Sequence, residues 1–224
     1  MKNPVEYTPV EAGQRRQEVR DLLRQRLKTR ELPEPKVRLD EKLPWDVMLQ
    51  DFDSVKGDKQ KAYQKMAGLL HVAGYVILNG SKLAPADGLM LADSLSKRAA
   101  KDLEDFELAE GIVDGWLAPY LDKGNPDTSY AGSRFDIAKG CLATYNLGGK
   151  WEKTLLIAPN ALALAEWDST RDLVRLRMLD AYCNLGDFVR AYQLLPEFEE
   201  SGLSEQYREV VRKLEREHLK GKQP

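Results

Sequence analysis

Cys141, Cys183, His71 and His218 are the only cysteines and histidines in the sequence, and they bound the covalent and metal chemistry open to it. A cysteine nucleophile needs a base within hydrogen-bond reach. His71 falls in the apolar stretch from Met66 to Leu78, and His218 near the C-terminal end. Both cysteines lie in apolar-periodic segments and are expected to be buried structural thiols, behaving as small hydrophobes. His71 is expected to be a satisfied interior or half-exposed side chain. The four residues lack zinc-ligand spacing, so no metal site is expected. Glu107, Glu110 and Asp114 stand at i, i+3 and i+7 of one helix face. Carboxylates so placed can move protons or hold a hard cation. No partner segment carries Glu-x-x-His, so a solvated acidic face is expected. Gly148-Gly149-Lys150 has the composition of a phosphate loop. It lacks the preceding strand and the Lys-Ser/Thr ending of such loops, and reads as a hairpin turn. No nucleophile elbow or dinucleotide fingerprint occurs. These residues point to no catalytic site and no cofactor; the expected activity is binding, not catalysis.

Local charge is the other chemical resource. Net charge is −2, with 31% charged and 42% hydrophobic residues, so no global field favours nucleic acid or membrane. The cations Arg15, Arg16, Arg20, Arg24, Arg26, Lys28 and Arg30 nevertheless gather on residues 14–31, facing Glu18 and Asp21. Val19, Leu22, Leu23 and Leu27 give that segment one narrow apolar stripe, so it is expected to be a helix. Three readings stay open: a solvated helix packed on its own domain, an arm that docks on a partner, or a phosphate-backbone contact. The acidic stretch 102–114 is a candidate counterpart within the chain or between copies. Pro33, Pro35 and Pro44 make 32–45 an expected extended linker, so residues 1–44 are read as a basic arm plus linker, dispensable for folding.

The elements that would position these residues are helices. Trp45–Val55 is expected to form a short helix, and Asp58 to cap a long one through Leu78. Pro85 starts another to about Glu104, and 105–121 continues it with Phe106, Ile112, Val113, Trp116 and Leu117 inward. Residues 122–132 are dense in turn formers, and the main domain boundary is placed there. No stretch alternates with a two-residue period, so strands are not expected. The fold class is all-α: an arm at 1–44, a helical domain at 45–121 and a repeat domain at 133–219. The longest apolar run is too short to cross a bilayer, and the N-terminal residues have no secretory apolar core. Free cysteines favour a reducing, cytoplasmic location.

The repeat rests on residues 141–159 set over 178–196, an offset of 37 residues. Leu142 aligns with Leu179, Tyr145 with Tyr182, Gly149 with Gly186, and Pro159 with Pro196. Trp151 aligns with Phe188, Lys153 with Arg190, and Ile157 with Leu194. Each unit reads as helix, Gly-centred turn, helix, with the glycine supplying a positive φ. One such hairpin cannot bury its apolar face alone; a second hairpin and a closing helix at 204–219 complete the core. Ser204 is the expected N-cap of that helix, and Tyr207, Val210, Val211 and Leu214 its inner stripe. The helices are expected to stop or kink at Pro159 and Pro196. Tyr130, Tyr145, Trp151, Trp167, Tyr182 and Phe188 are expected to be mostly core.

Tyr182, Gly186-Asp187-Phe188 and Ala191 resemble the turn of a tetratricopeptide repeat. The first unit matches less well, with Gly149-Lys150-Trp151 and Thr154 at the alanine position. The resemblance covers about 133–219 and departs from the family in its period, which in that family is about 34 residues. Degenerate hairpin modules of this kind also resemble the repeat domains of some bacterial transcriptional activators. The resemblance implies a scaffold or adaptor that holds a peptide or partner protein on a helical groove, with Lys139, Asn146, Arg175 and Arg177 as candidate contacts. The alternative is an accessory factor of a nucleic-acid-associated complex (transcription, packaging or defence) that uses the basic residues of 14–31.

Overall fold

A computed structural model describes residues 9–33, 45–79, 85–121, 131–198 and 203–220. Every regular element among them is helical, and no strand occurs. The α-helices are α1 (Pro9–Leu27), α2 (Trp45–Asp53), α3 (Lys59–Asn79), α4 (Pro85–Lys101), α5 (Phe106–Ile112), α6 (Ala131–Leu147), α7 (Trp151–Leu164), α8 (Asp168–Leu185), α9 (Phe188–Leu194) and α10 (Ser204–Lys220). A π-helical turn, Val113–Leu117, and a 3-10 turn, Ala118–Tyr120, prolong α5. The chain divides into two compact units, one of Glu6–Thr144 and one containing Tyr145–Pro224, with the division inside α6. The turn-rich segment 122–130 and most of the linker 32–45 lie outside the described residues, as does Tyr130.

In the unit of Glu6–Thr144, α1 is part of the core. Ala12, Val19, Leu23 and Leu27 are buried, and α1 packs on α3, α5 and the π turn. The sequence leaves both a packed helix and a docking arm open and reads 1–44 as dispensable for folding because the apolar stripe is narrow; the buried face of α1 fits the packed helix. A narrow stripe suffices here because the opposing surface is nearly flat. Gly111 and Gly115, one turn apart, face α1. A Cβ at Gly111 would stand 2.5 Å from Val19 Cγ2, and one at Gly115 3.0 Å from Arg16 Cγ. The two glycines let the helices approach closely, and dispersion contacts make up for the small apolar area. Asp58 caps α3 as expected, accepting from Lys61 N–H at 3.2 Å. Phe106, expected inward, is exposed, whereas Ile112, Val113, Trp116 and Leu117 are buried.

The unit of Tyr145–Pro224 closes two helix–turn–helix connections in the same way. Gly149 has φ 66° and Gly186 φ 73°. Gly149 N–H donates to Asn146 O and Lys150 N–H to Tyr145 O; Gly186 N–H donates to Cys183 O and Asp187 N–H to Tyr182 O. Both are Schellman closures, in which a left-handed residue lets the last helical carbonyls find donors. The four bonds match pairwise at the 37-residue offset of the sequence alignment. Leu179, Cys183, Phe188, Ala191, Leu195 and Val211 form one apolar cluster, with Tyr207 and Leu214 packed on it. Val210, expected in the inner stripe, is exposed. The helix α7 does not stop at Pro159 but runs on to Leu164, with the proline on its exposed side. The second proline behaves as expected: α9 ends at Leu194, and Pro196 lies in a 3-10 turn, Leu195–Phe198.

The two glycines differ in what surrounds them. A Cβ at Gly186 would lie 2.8 Å from the His218 ring, whereas one at Gly149 meets nothing closer than 3.9 Å. Gly149→Ala is expected to cost about 1 kcal/mol through φ alone, and Gly186→Ala about 2 kcal/mol. Chemical denaturation checks this, and adding His218→Ala to Gly186→Ala should bring the two losses together.

Candidate functional site

Asp105 organises the region where the basic helix meets the acidic stretch. It sits between α4 and α5, and its Oδ1 accepts from Leu108 N–H at 3.1 Å, capping α5. Its Oδ2 accepts from Arg26 Nε and from the Tyr63 hydroxyl, each at 2.8 Å. One buried carboxylate thereby joins α1, α3 and α5. Burial works against its charge, but Arg26, the Leu108 amide and Tyr63 outweigh that and hold it below the usual carboxylate range. Burial and the hydrogen bond to Asp105 push the Tyr63 hydroxyl up to about 12. Arg26 also reaches Glu107 at 3.0 Å. The counterpart of this arginine is therefore the chain's own 102–114 stretch.

The other basic-helix positions are used unevenly. Arg15 pairs with Glu18, and Arg24 with Asp21. Arg16 lies along Gly115. Lys28, at φ 53°, terminates α1 in the left-handed region. Arg20 and Arg30 are exposed. All but Lys28 and Arg30, which follow it, belong to a packed helix, and no observation favours a phosphate-backbone contact over a solvated face. Among the acidic trio, Glu107 is exposed and paired with Arg26, Glu110 is half-buried, and Asp114 is buried within the π turn. The expected solvated face therefore holds for Glu107 alone. Trp116 is buried as expected, whereas the π turn also carries Asp114 inward, which a uniform 3.6-residue period does not foresee.

The candidate hairpin contacts are likewise engaged locally. Lys139 is exposed and pairs with Asp136 at 2.7 Å. Asn146 accepts from the Thr154 hydroxyl at 2.6 Å, fastening α6 to α7. Arg175 bridges Asp172 and Glu197 at 3.0 and 2.8 Å, and Arg177 pairs with Asp180 at 3.6 Å. Asn146 and Arg175 thus brace the fold.

Trp167 is also placed otherwise than the sequence implies. It was expected in the core with the other aromatics, and Tyr145 and Phe188 are buried there. Trp167 instead has 69% of its surface exposed, at the connection between α7 and α8. Its backbone is held by Thr170, whose hydroxyl donates to Trp167 O at 2.6 Å and accepts Trp167 N–H at 3.2 Å. The signal was present in Trp167-Asp168-Ser169-Thr170, a helix-start sequence that puts the tryptophan outside the helix.

No family model, curated protein or solved structure matches the chain.

Cys141 is wholly buried and its thiol is pushed well up by burial, with Asp93 and Asp114 adding to the effect. Burial likewise pushes Cys183 up to about 11. A protonated, enclosed thiol is no nucleophile. Asp93, which the sequence reading passed over, is buried in α4 with its carboxylate pressed on Gly140 of α6 and bonded to Lys97. Ser96 and Thr144 lie beside each other at 3.4 Å between the same helices. This cluster joins α4 to α6, and Asp93 Oδ1 within it is shielded from solvent with no hydrogen-bond partner among the described residues. Among the described residues, no three His, Cys, Asp or Glu side chains are placed to hold a metal, and no helix is long and apolar enough to cross a membrane.

Asp105→Asn removes the negative charge and replaces one of the two oxygens that Arg26, Tyr63 and the Leu108 amide share with a donor NH2. The expected loss is about 3 kcal/mol at neutral pH. Because the folded carboxyl lies below its unfolded value of about 3.9, its contribution is present above that pH and disappears as pH falls through the folded value. Urea unfolding across the acidic range should show the gap between wild type and variant closing there.

Proposed function

We propose that the protein is a non-catalytic binding scaffold whose unit of Tyr145–Pro224 holds a peptide segment or partner protein. The single observation that carries this reading is Trp167: a large aromatic, mostly exposed, on a backbone fixed by its own helix cap. Exposed apolar residues are common, but a rigidly presented tryptophan is rare on surfaces and enriched at the centres of protein interfaces. Its ring gives a large contact area while losing little rotamer freedom.

The matched Schellman closures at Gly149 and Gly186 support the reading from the fold side. Two helix–turn–helix modules in tandem, closed by α10, are the arrangement that the tetratricopeptide resemblance implies, and such modules act by contact. Leu185 and Val189 flank the second turn and are also exposed, Val189 by 69%. They provide a further apolar position for an extended partner.

Selection of a displayed random-peptide library on the full chain should enrich a common apolar motif. Trp167→Glu should reduce binding of the enriched peptides about 30-fold or more, as expected for loss of a hot-spot residue costing at least about 2 kcal/mol, with an unchanged melting temperature. Enriched peptides that bind the variant equally well would remove Trp167, and with it this reading.

A further inference from the structure

Within the unit of Glu6–Thr144, and independent of the hairpin reading, α1, residues 30–33, α3 and the π turn line a half-open cavity of about 530 Å³. That is the size of a small-molecule site. Leu23, Ala67, Leu70 and Trp116 supply apolar wall. Arg20, Arg24, Arg30 and His71 line the same cavity, against Glu31 as its one carboxylate. The charge balance favours an anion, and the wall favours an apolar body.

Two donors in this lining have no acceptor among the described residues. Arg24 uses Nη1 on Asp21, but its Nε is shielded from solvent and unpartnered. Trp116 is only 2% exposed, and its indole N–H is also unpartnered. Buried donors are normally satisfied, so each is a position where an acceptor oxygen is favoured. The Trp116 indole nitrogen lies beside Gly74 of α3, where a Cβ would stand 3.2 Å away. Neither Arg20 nor Arg30 enters an ion pair among the described residues, whereas Arg15 and Arg26 do. Guanidinium groups without carboxylates beside an apolar wall suit a planar or tetrahedral oxyanion, which they can grip through paired N–H bonds.

We propose that this cavity binds a small amphipathic anion, an aliphatic body carrying a carboxylate or phosphate head. The body lies against Leu23, Ala67, Leu70 and Trp116, and the head takes charge from Arg20, Arg24 and Arg30. The basic face of α1 then has a use that is neither nucleic acid nor a partner helix. Its cations serve a pocket that α1 itself walls.

The test uses the full chain and three probes of equal chain length: decanoate, decyl phosphate and neutral decanamide. Binding is measured by titration calorimetry. The indole N–H resonance of Trp116, assigned with Trp116→Phe, is followed by NMR. At least one anion should saturate the protein and shift that resonance, with decanamide about ten-fold weaker or worse, the loss of one charge-assisted contact. The tighter anion identifies the head group. Arg20→Gln/Arg24→Gln should weaken the anion by a similar factor and leave decanamide unchanged. Arg30→Gln, outside any helix, gives an independent reading if the double variant folds poorly. The proposal is overturned if neither anion shifts the Trp116 resonance, if decanamide binds as tightly as the anions, or if the folded arginine variants keep full anion affinity.

Discussion

A single carboxylate, that of Asp105, holds together the first unit's helices. It is placed by a break in the chain: Glu104 takes φ 55°, which ends the α4 region and turns Asp105 inward as the cap of α5. At 7% exposure a carboxylate is costly unless it is well served with donors. Three donors from three helices serve it, and the Tyr63 hydroxyl and Leu108 amide have it as their acceptor, while Arg26 also reaches Glu107. This reciprocity sets where α1 lies along α5. Gln60 of α3 reinforces the same register by donating to the last carbonyl of α1, Leu27 O, at 3.2 Å. Elsewhere in the unit Arg98 performs a related task, clasping Asp53 through two N–H bonds at 3.0 and 2.9 Å and so tying α4 to α2.

From that anchoring follow the other features of the unit. With α1 fixed at its C-terminal end, Val19 and Arg16 come down on Gly111 and Gly115, the only side-chain-free places on that face. The π turn that follows carries Trp116 inward beneath α1 and α3. The cavity lies where α1, too narrow to cover the whole surface, leaves space beside that ring. Its basic lining comes from Arg20 and Arg24 on the outer edge of the same helix and from Arg30 just beyond it, none of them claimed by Asp105. Fold and proposed ligand chemistry thus share one cause, the distribution of arginines around α1.

Much of this was legible in the sequence, and what was missed has physical reasons. Helix positions followed from the 3.6-residue period, and the hairpin glycines from their 37-residue offset, because both are local rules. Asp58 was readable as a cap for the same reason. The role of α1 was not readable, because it depends on a surface far along the chain. Gly111 and Gly115 carry the small-residue spacing of close helix contacts, but nothing near them names Val19 as their partner. Asp105 looked like one more acidic residue of 102–114; its burial comes from the left-handed Glu104 and from Arg26 and Tyr63. Asp114 was assigned to solvent by assuming a regular helix through a segment that forms a π turn. Trp167 was grouped with core aromatics by spacing, although the capping residues after it already placed it outside α8.

Whether α1 is an integral member of its unit is the claim on which the rest turns. Native-state hydrogen exchange under increasing urea reads it residue by residue. Amides of Leu23 and Leu27 should exchange with the same free energy and urea dependence as those of Met66 and Leu70 in α3, since both helices can open only together. Exchange of the α1 amides through a separate, urea-insensitive opening well below that of α3 would contradict the account and restore α1 to a detachable arm.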